Sequence, residues 1–144
     1  MSLIQSSPFL RNALALDAAA CAGMGLLLAT GAGPLAAPLG LPEGFLRGAG
    51  LVLLPCAALL GFLASRKLLP RLVVYAVIGG NLVWIADSIA ILLLGWFAPT
   101  GLGIAFVLAQ AAAVAIVTEL EVIGFKRSPA QAAIALGADG AGLR

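Results

Sequence analysis

Four long apolar runs divide the chain, and short segments rich in proline, glycine or charge separate them. None of the runs shows the strict polar–apolar alternation of a membrane β-strand, and Ala and Leu dominate all four. About 20 helical residues cross a hydrocarbon layer of ~30 Å, so each run is read as a transmembrane helix. The first is placed at residues 8–32: Ser7-Pro8 supplies a capping hydroxyl and a proline at the first helical position, and Thr30-Gly31-Ala32-Gly33-Pro34 ends it. Pro34, Pro38 and Pro42 follow at four-residue intervals. Each lacks an N–H and disfavours helix in the residue before it, so a broken segment lying at the membrane surface is expected there.

The second span is placed at residues 42–67, with Glu43 and Arg47 one turn apart and able to pair. Pro55 lies inside it, frees the carbonyl of Leu51 and should kink the helix. The third and fourth spans occupy residues 71–97 and 101–125, joined by the tight turn Ala98-Pro99-Thr100-Gly101. Residues 128–144 form an Ala/Gly-rich tail in which Ser128-Pro129 opens a brief helix ending near Gly137. The expected fold is an all-α membrane protein: a four-helix transmembrane domain over residues 1–127, with no strands.

Composition agrees with lipid as the solvent. Of 144 residues, 62% are hydrophobic and 10% charged, and mean hydropathy is +1.14, whereas a soluble domain carries about 25% charged residues. These values exclude disorder, a nucleic-acid surface and an ordinary cytosolic enzyme. The first run is too long for a signal-peptide core and contains Asp17. Position matters more than the net charge of +2: Arg11, Arg66, Lys67, Arg71, Lys126 and Arg127 fall on one side of the four spans and Arg47 alone on the other. By the positive-inside rule both ends of the chain face the cytoplasm.

The chemistry on offer is narrow. The chain has no His, which removes His-ligated haem, His-containing zinc sites and imidazole triads. Cys21 and Cys56 form no CxxC pair and read as small buried hydrophobes. Gly101-Leu102-Gly103 lacks the strand–helix setting that makes such glycines phosphate binders. No cofactor, metal or catalytic residue is expected. In lipid, helices associate through close packing and hydrogen bonds; small-residue ladders suited to this are Ala15/Ala19/Gly23, Ala57/Gly61/Ser65 and Gly101/Ala105/Ala109/Ala113.

An ionisable group in the hydrocarbon layer costs about 2.5–3.5 kcal/mol on insertion scales and marks a candidate site. At ~1.5 Å per residue, Asp87 and Gln110 share a depth, roughly ten residues from the outer helix ends, with Cys56 and the Pro55 kink near it. Asp87 is therefore expected to face Gln110 and the kink as an uncharged donor. Asn81, Trp84, Asp87 and Ser88 fall within about 120° of the third helix at 100° per residue, so they form one polar stripe. Gln110 and Glu121 point the same way on the fourth helix, and Glu119 points opposite. Trp84 is read as packed core and Trp96 as an interface anchor. Asp17, Glu119 and Glu121 lie nearer the basic side, where they are expected to form an ion-pair belt with the Arg and Lys residues; a carboxylate-lined mouth for a proton or cation is the functional alternative.

Several loose motifs span nearly the whole chain: Pro8 to Arg11 (Pro-Phe-Leu-Arg), Asp17, Leu39 to Pro42 (Leu-Gly-Leu-Pro), Asn81-x-x-Trp84, and Pro99 to Gly103 (Pro-Thr-x-x-Gly) before a Gln/Ala-rich run. In these the chain resembles small four-span integral membrane proteins of high-GC bacteria. The resemblance implies a fold class and a cytoplasmic-membrane location, and attaches no activity. The leading expectation is a non-enzymatic accessory or scaffold subunit, self-associating or bound to a larger membrane complex. The alternatives are a small transporter or channel using Asp87 and Asp17, and a binder of a lipid- or quinone-type ligand beside Trp84.

Overall fold

The structure, a computed structural model, describes residues 2–130. In chain order the elements are β1 (Leu3–Gln5), α1 (Pro8–Leu39), α2 (Glu43–Ala64), β2 (Leu68–Pro70), α3 (Arg71–Leu93) and α4 (Gly101–Lys126). All four helices are long and apolar enough to cross a membrane. Helix α1 packs against α2 and α4, and α3 packs against α4.

Helix α1 differs most from expectation. It runs unbroken through Pro34 and Pro38 for 32 residues, about 48 Å at 1.5 Å per residue. Both prolines lie on its exposed side. Their four-residue spacing keeps the freed carbonyls, those of Thr30 and Pro34, on that one face, while the opposite face buries Leu28, Ala32 and Leu39 against Leu46 and Val107. Packing thus outweighs the local proline penalty. The helix stops at Gly40, in the left-handed region at φ +64°. The Leu41 N–H returns to the Ala36 carbonyl (3.2 Å) and the Gly40 N–H to Ala37 (3.3 Å), a Schellman-type end that needs glycine.

Two short strands also depart from the all-helical expectation. β1 pairs antiparallel with β2, Ile4 opposite Leu69, and Ile4 also bridges to Ala130. Three-residue strands carry too short a pattern to read locally. They arise because the start of α1, the α2–α3 connection and the end of α4 meet at one end of the molecule, where their backbone groups satisfy one another: Ser6 N–H donates to the Lys67 carbonyl (2.8 Å), Arg71 N–H to Ser2 (3.1 Å) and Gln5 N–H to Pro129 (3.0 Å). Ser7, the N-cap of α1, accepts from Leu10 N–H and donates its hydroxyl to the Gly124 carbonyl at 3.0 Å. Ser128-Pro129 therefore leads into an extended bridge and opens no helix there; the remainder of that expected helix lies outside the described residues.

Helix α2 ends at Ala64, short of residue 67, and α3 ends at Leu93, short of residue 97, so Trp96 belongs to the connection and is 65% exposed. The small-residue ladders on α1 and α4 turn outward: Ala15, Ala19, Gly23, Gly101, Ala105, Ala109 and Ala113 are all exposed, and on α2 Ala57 alone of its three is buried. The close approaches use other positions. A Cβ on Gly50 would lie 2.5 Å from the Ala29 nitrogen, and one on Gly124 would lie 2.6 Å from Leu10 Cα; these are the α1–α2 and α1–α4 crossings.

Candidate functional site

Helices α2 and α3 stand apart over most of their length, and the space between them is closed at either end. At the end carrying the strands, Leu60 and Leu63 share a cluster with Val74, with Val77 packed on it. At the other end the Phe45 and Phe97 rings lie 4.9 Å apart. Between these closures a groove of about 340 Å³ opens, walled by Gly44, Gly48 and Val52 of α2 and by Trp84, Asp87 and Ile91 of α3. Met24 and Leu28 of α1, with Phe106, Val107 and Gln110 of α4, form its floor. Gly44 and Gly48 keep the α2 wall smooth, since a Cβ at either would meet nothing within 4 Å.

The polar groups of this groove fall into two kinds. Trp84 Nε1–H donates to Gln110 Oε1 (2.7 Å), Gln110 Nε2 donates to Ser88 Oγ (2.8 Å), and the Ser88 hydroxyl donates to the Trp84 carbonyl (2.7 Å). This ring fixes the indole as a wall of the groove, where packed core was expected. Asp87 differs: it is exposed on the groove and makes no hydrogen bond or ion pair among the described residues. Asp87 was expected to face Gln110 and the Pro55 kink as a hydrogen-bond donor; it shares the groove with Gln110, but Pro55 does not line that groove and no hydrogen bond joins Asp87 to Gln110 among the described residues. Gln110 is occupied by Trp84 and Ser88, and α2 stands across the groove. Cys56 is exposed and lines no part of it.

Asn81 leaves the expected stripe for a second cluster. Its Nδ2 donates to Asp17 Oδ2 (3.3 Å) and Glu121 Oε2 (3.1 Å), and Cys21 Sγ donates to Asp17 Oδ1 (3.6 Å). Asp17 is 2% and Glu121 0% exposed, while Glu119 is exposed on the opposite face of α4. A smaller cavity of about 100 Å³ links the two clusters, touching Asp17 and Cys21 at one end and sharing Met24, Trp84 and Gln110 with the groove. Sequence reasoning missed Cys21; its place four residues after Asp17, one turn along the same face, is the signal that finds it.

The expected ion-pair belt does not form. Among the described residues the one salt bridge is Glu43–Arg47 (2.6 Å), at the other end of the molecule. Arg11 Nε instead donates to the Ala64 carbonyl (2.9 Å). Arg66, Arg71 and Arg127 lie over Phe62, Phe125 and Phe9 at 4.3, 5.5 and 4.8 Å. The acids and cations separate because Asp17 and Glu121 point into the bundle while the guanidinium groups lie along its end. No protein-family model, curated protein or solved structure matches this chain. Among the described residues no three His, Cys, Asp or Glu side chains gather in a way that could hold a metal ion.

Proposed function

We propose that this is a non-catalytic integral membrane protein of the bacterial inner membrane, with the strand-bearing basic end in the cytoplasm, and that its α2–α3 groove holds an amphipathic small molecule or lipid. The observation that carries this reading is the groove: its volume falls in the range of small-molecule sites, about 300–1,000 Å³, its walls are mostly apolar, and on it lies the Asp87 carboxylate, which has no hydrogen-bond partner among the described residues. A lone carboxylate facing hydrocarbon costs about 2.5–3.5 kcal/mol. A ligand carrying an amine or another strong donor offsets that cost and extends its chain over Val52, Ile91 and Phe106. Trp84 provides the readout. In a Trp96→Phe background, a dansyl-labelled alkylamine added to purified protein gives saturable energy transfer from Trp84, lost in Gly48→Phe, which fills the groove, and weakened in Asp87→Asn. Non-saturable transfer, unchanged in both variants, refutes the reading.

Self-association, the accessory-subunit reading, has one observation in its favour: the outward small-residue ladders of α1 and α4, which let a second copy approach closely. Cysteine cross-linking at Ala109→Cys in native membrane separates the two, since a ligand binder without partners gives no cross-linked dimer.

A further inference from the structure

Asp17 and Glu121 are the two most buried ionisable groups among the described residues, at 2% and 0% exposure. They belong to different helices, and one amide nitrogen, Asn81 Nδ2, holds an oxygen of each, at 3.3 Å from Asp17 and 3.1 Å from Glu121, which brings the two carboxyls together. Two carboxyl groups can bond to one another only through a proton. The remaining neighbours supply donors but no charge: Asn81 of α3 gives both amide hydrogens, one to each acid, and Cys21 gives its S–H to Asp17. From α2 the titratable group on this side is Cys56, beyond Cys21. Arg11, the cation nearest Asp17 in sequence, is held on the Ala64 carbonyl, and Lys126, the one nearest Glu121, is exposed. A second observation points to a ligand: Glu121 Oε1, fully buried, has no hydrogen-bond partner. Two like charges here would repel in a medium that screens them poorly, and among the described residues no cation forms a salt bridge with either.

We propose that the Asp17–Asn81–Glu121 cluster is a binding site for one exchangeable proton. The proton adds to a carboxylate oxygen of the pair, forming one O–H bond that is donated to the facing carboxylate. The net charge of the pair falls from −2 to −1, and no other bond changes. This site is separate from the Asp87 groove and stands whether or not the groove holds a ligand. Infrared spectroscopy of the purified full-length protein tests it. At neutral pH the wild type shows the C=O stretch of a protonated carboxyl, shifted in D₂O and lost on alkaline titration. The band disappears in Glu121→Gln and in Asp17→Asn, each of which leaves a single carboxylate among neutral donors. If those variants do not fold, the Asp87→Asn/Glu119→Gln double variant, altered at exposed positions alone, still carries the band. Absence of the band from the wild type at neutral pH, its persistence in both single-site variants, or its loss in the double variant overturns the proposal.

Discussion

Asn81 shows what a single residue holds together. One amide nitrogen links α3 to both α1 and α4 through Asp17 and Glu121, and α3 otherwise packs against α4 and β2. Asn81→Leu keeps the volume and removes both bonds, leaving two buried acids without that donor. The expected loss is about 3 kcal/mol, read from unfolding by SDS titration. Trp84→Phe strips the donor from Gln110 Oε1 while keeping the ring, and is expected to cost about 1–2 kcal/mol by the same measurement. The face of each helix that carries a polar residue was readable from 100° periodicity, so Glu121 and Glu119 could be assigned opposite directions from spacing. The partner across the interface was not readable. Asn81 sits near enough to Trp84 and Asp87 on the wheel to be grouped with them, and its true neighbours depend on where α1 lies, which no single-helix pattern contains.

At the scale of the elements, glycine positions separate contact from ornament. Gly50→Ala forces a methyl into the α1 backbone at Ala29 and is expected to cost about 1–3 kcal/mol. Gly23→Ala and Gly79→Ala, where a Cβ meets nothing within 4 Å, are expected to be neutral or to stabilise by up to ~1 kcal/mol through helix propensity. Thermal unfolding in detergent compares the three, and equal effects would refute the assigned crossing. Four long apolar helices were legible because hydropathy is summed over many residues. The ladders were not, since Ala and Gly are so common that small residues at four-residue spacing occur on every face. The proline rule misplaced the end of α1 because it weighs local backbone cost and takes no account of Leu39, buried beyond Pro34 and Pro38.

The whole molecule is polarised: Arg11, Arg66, Lys67, Arg71, Lys126 and Arg127 gather where the strands meet, and Arg47 stands at the opposite end. In the proposed membrane placement, a Ser65→Cys label is expected to react with an impermeant maleimide from the cytoplasmic side and an Ala98→Cys label from the other, in a Cys21→Ala/Cys56→Ala background. Labelling of both from one side overturns the topology. Cys56, exposed on the face of α2, should in the native sequence yield to lipid-soluble reagents alone. The stitching of the basic end has a consequence for biogenesis. The Ser7 hydroxyl bonds to a carbonyl 117 positions later, so the leading segment leaves the ribosome long before its partners are translated. Until then it is an unfastened strand within reach of membrane proteases. Nascent chains arrested before Gly124 should accordingly be trimmed at that segment, and those released beyond Ala130 spared, a difference that pulse-chase labelling would resolve.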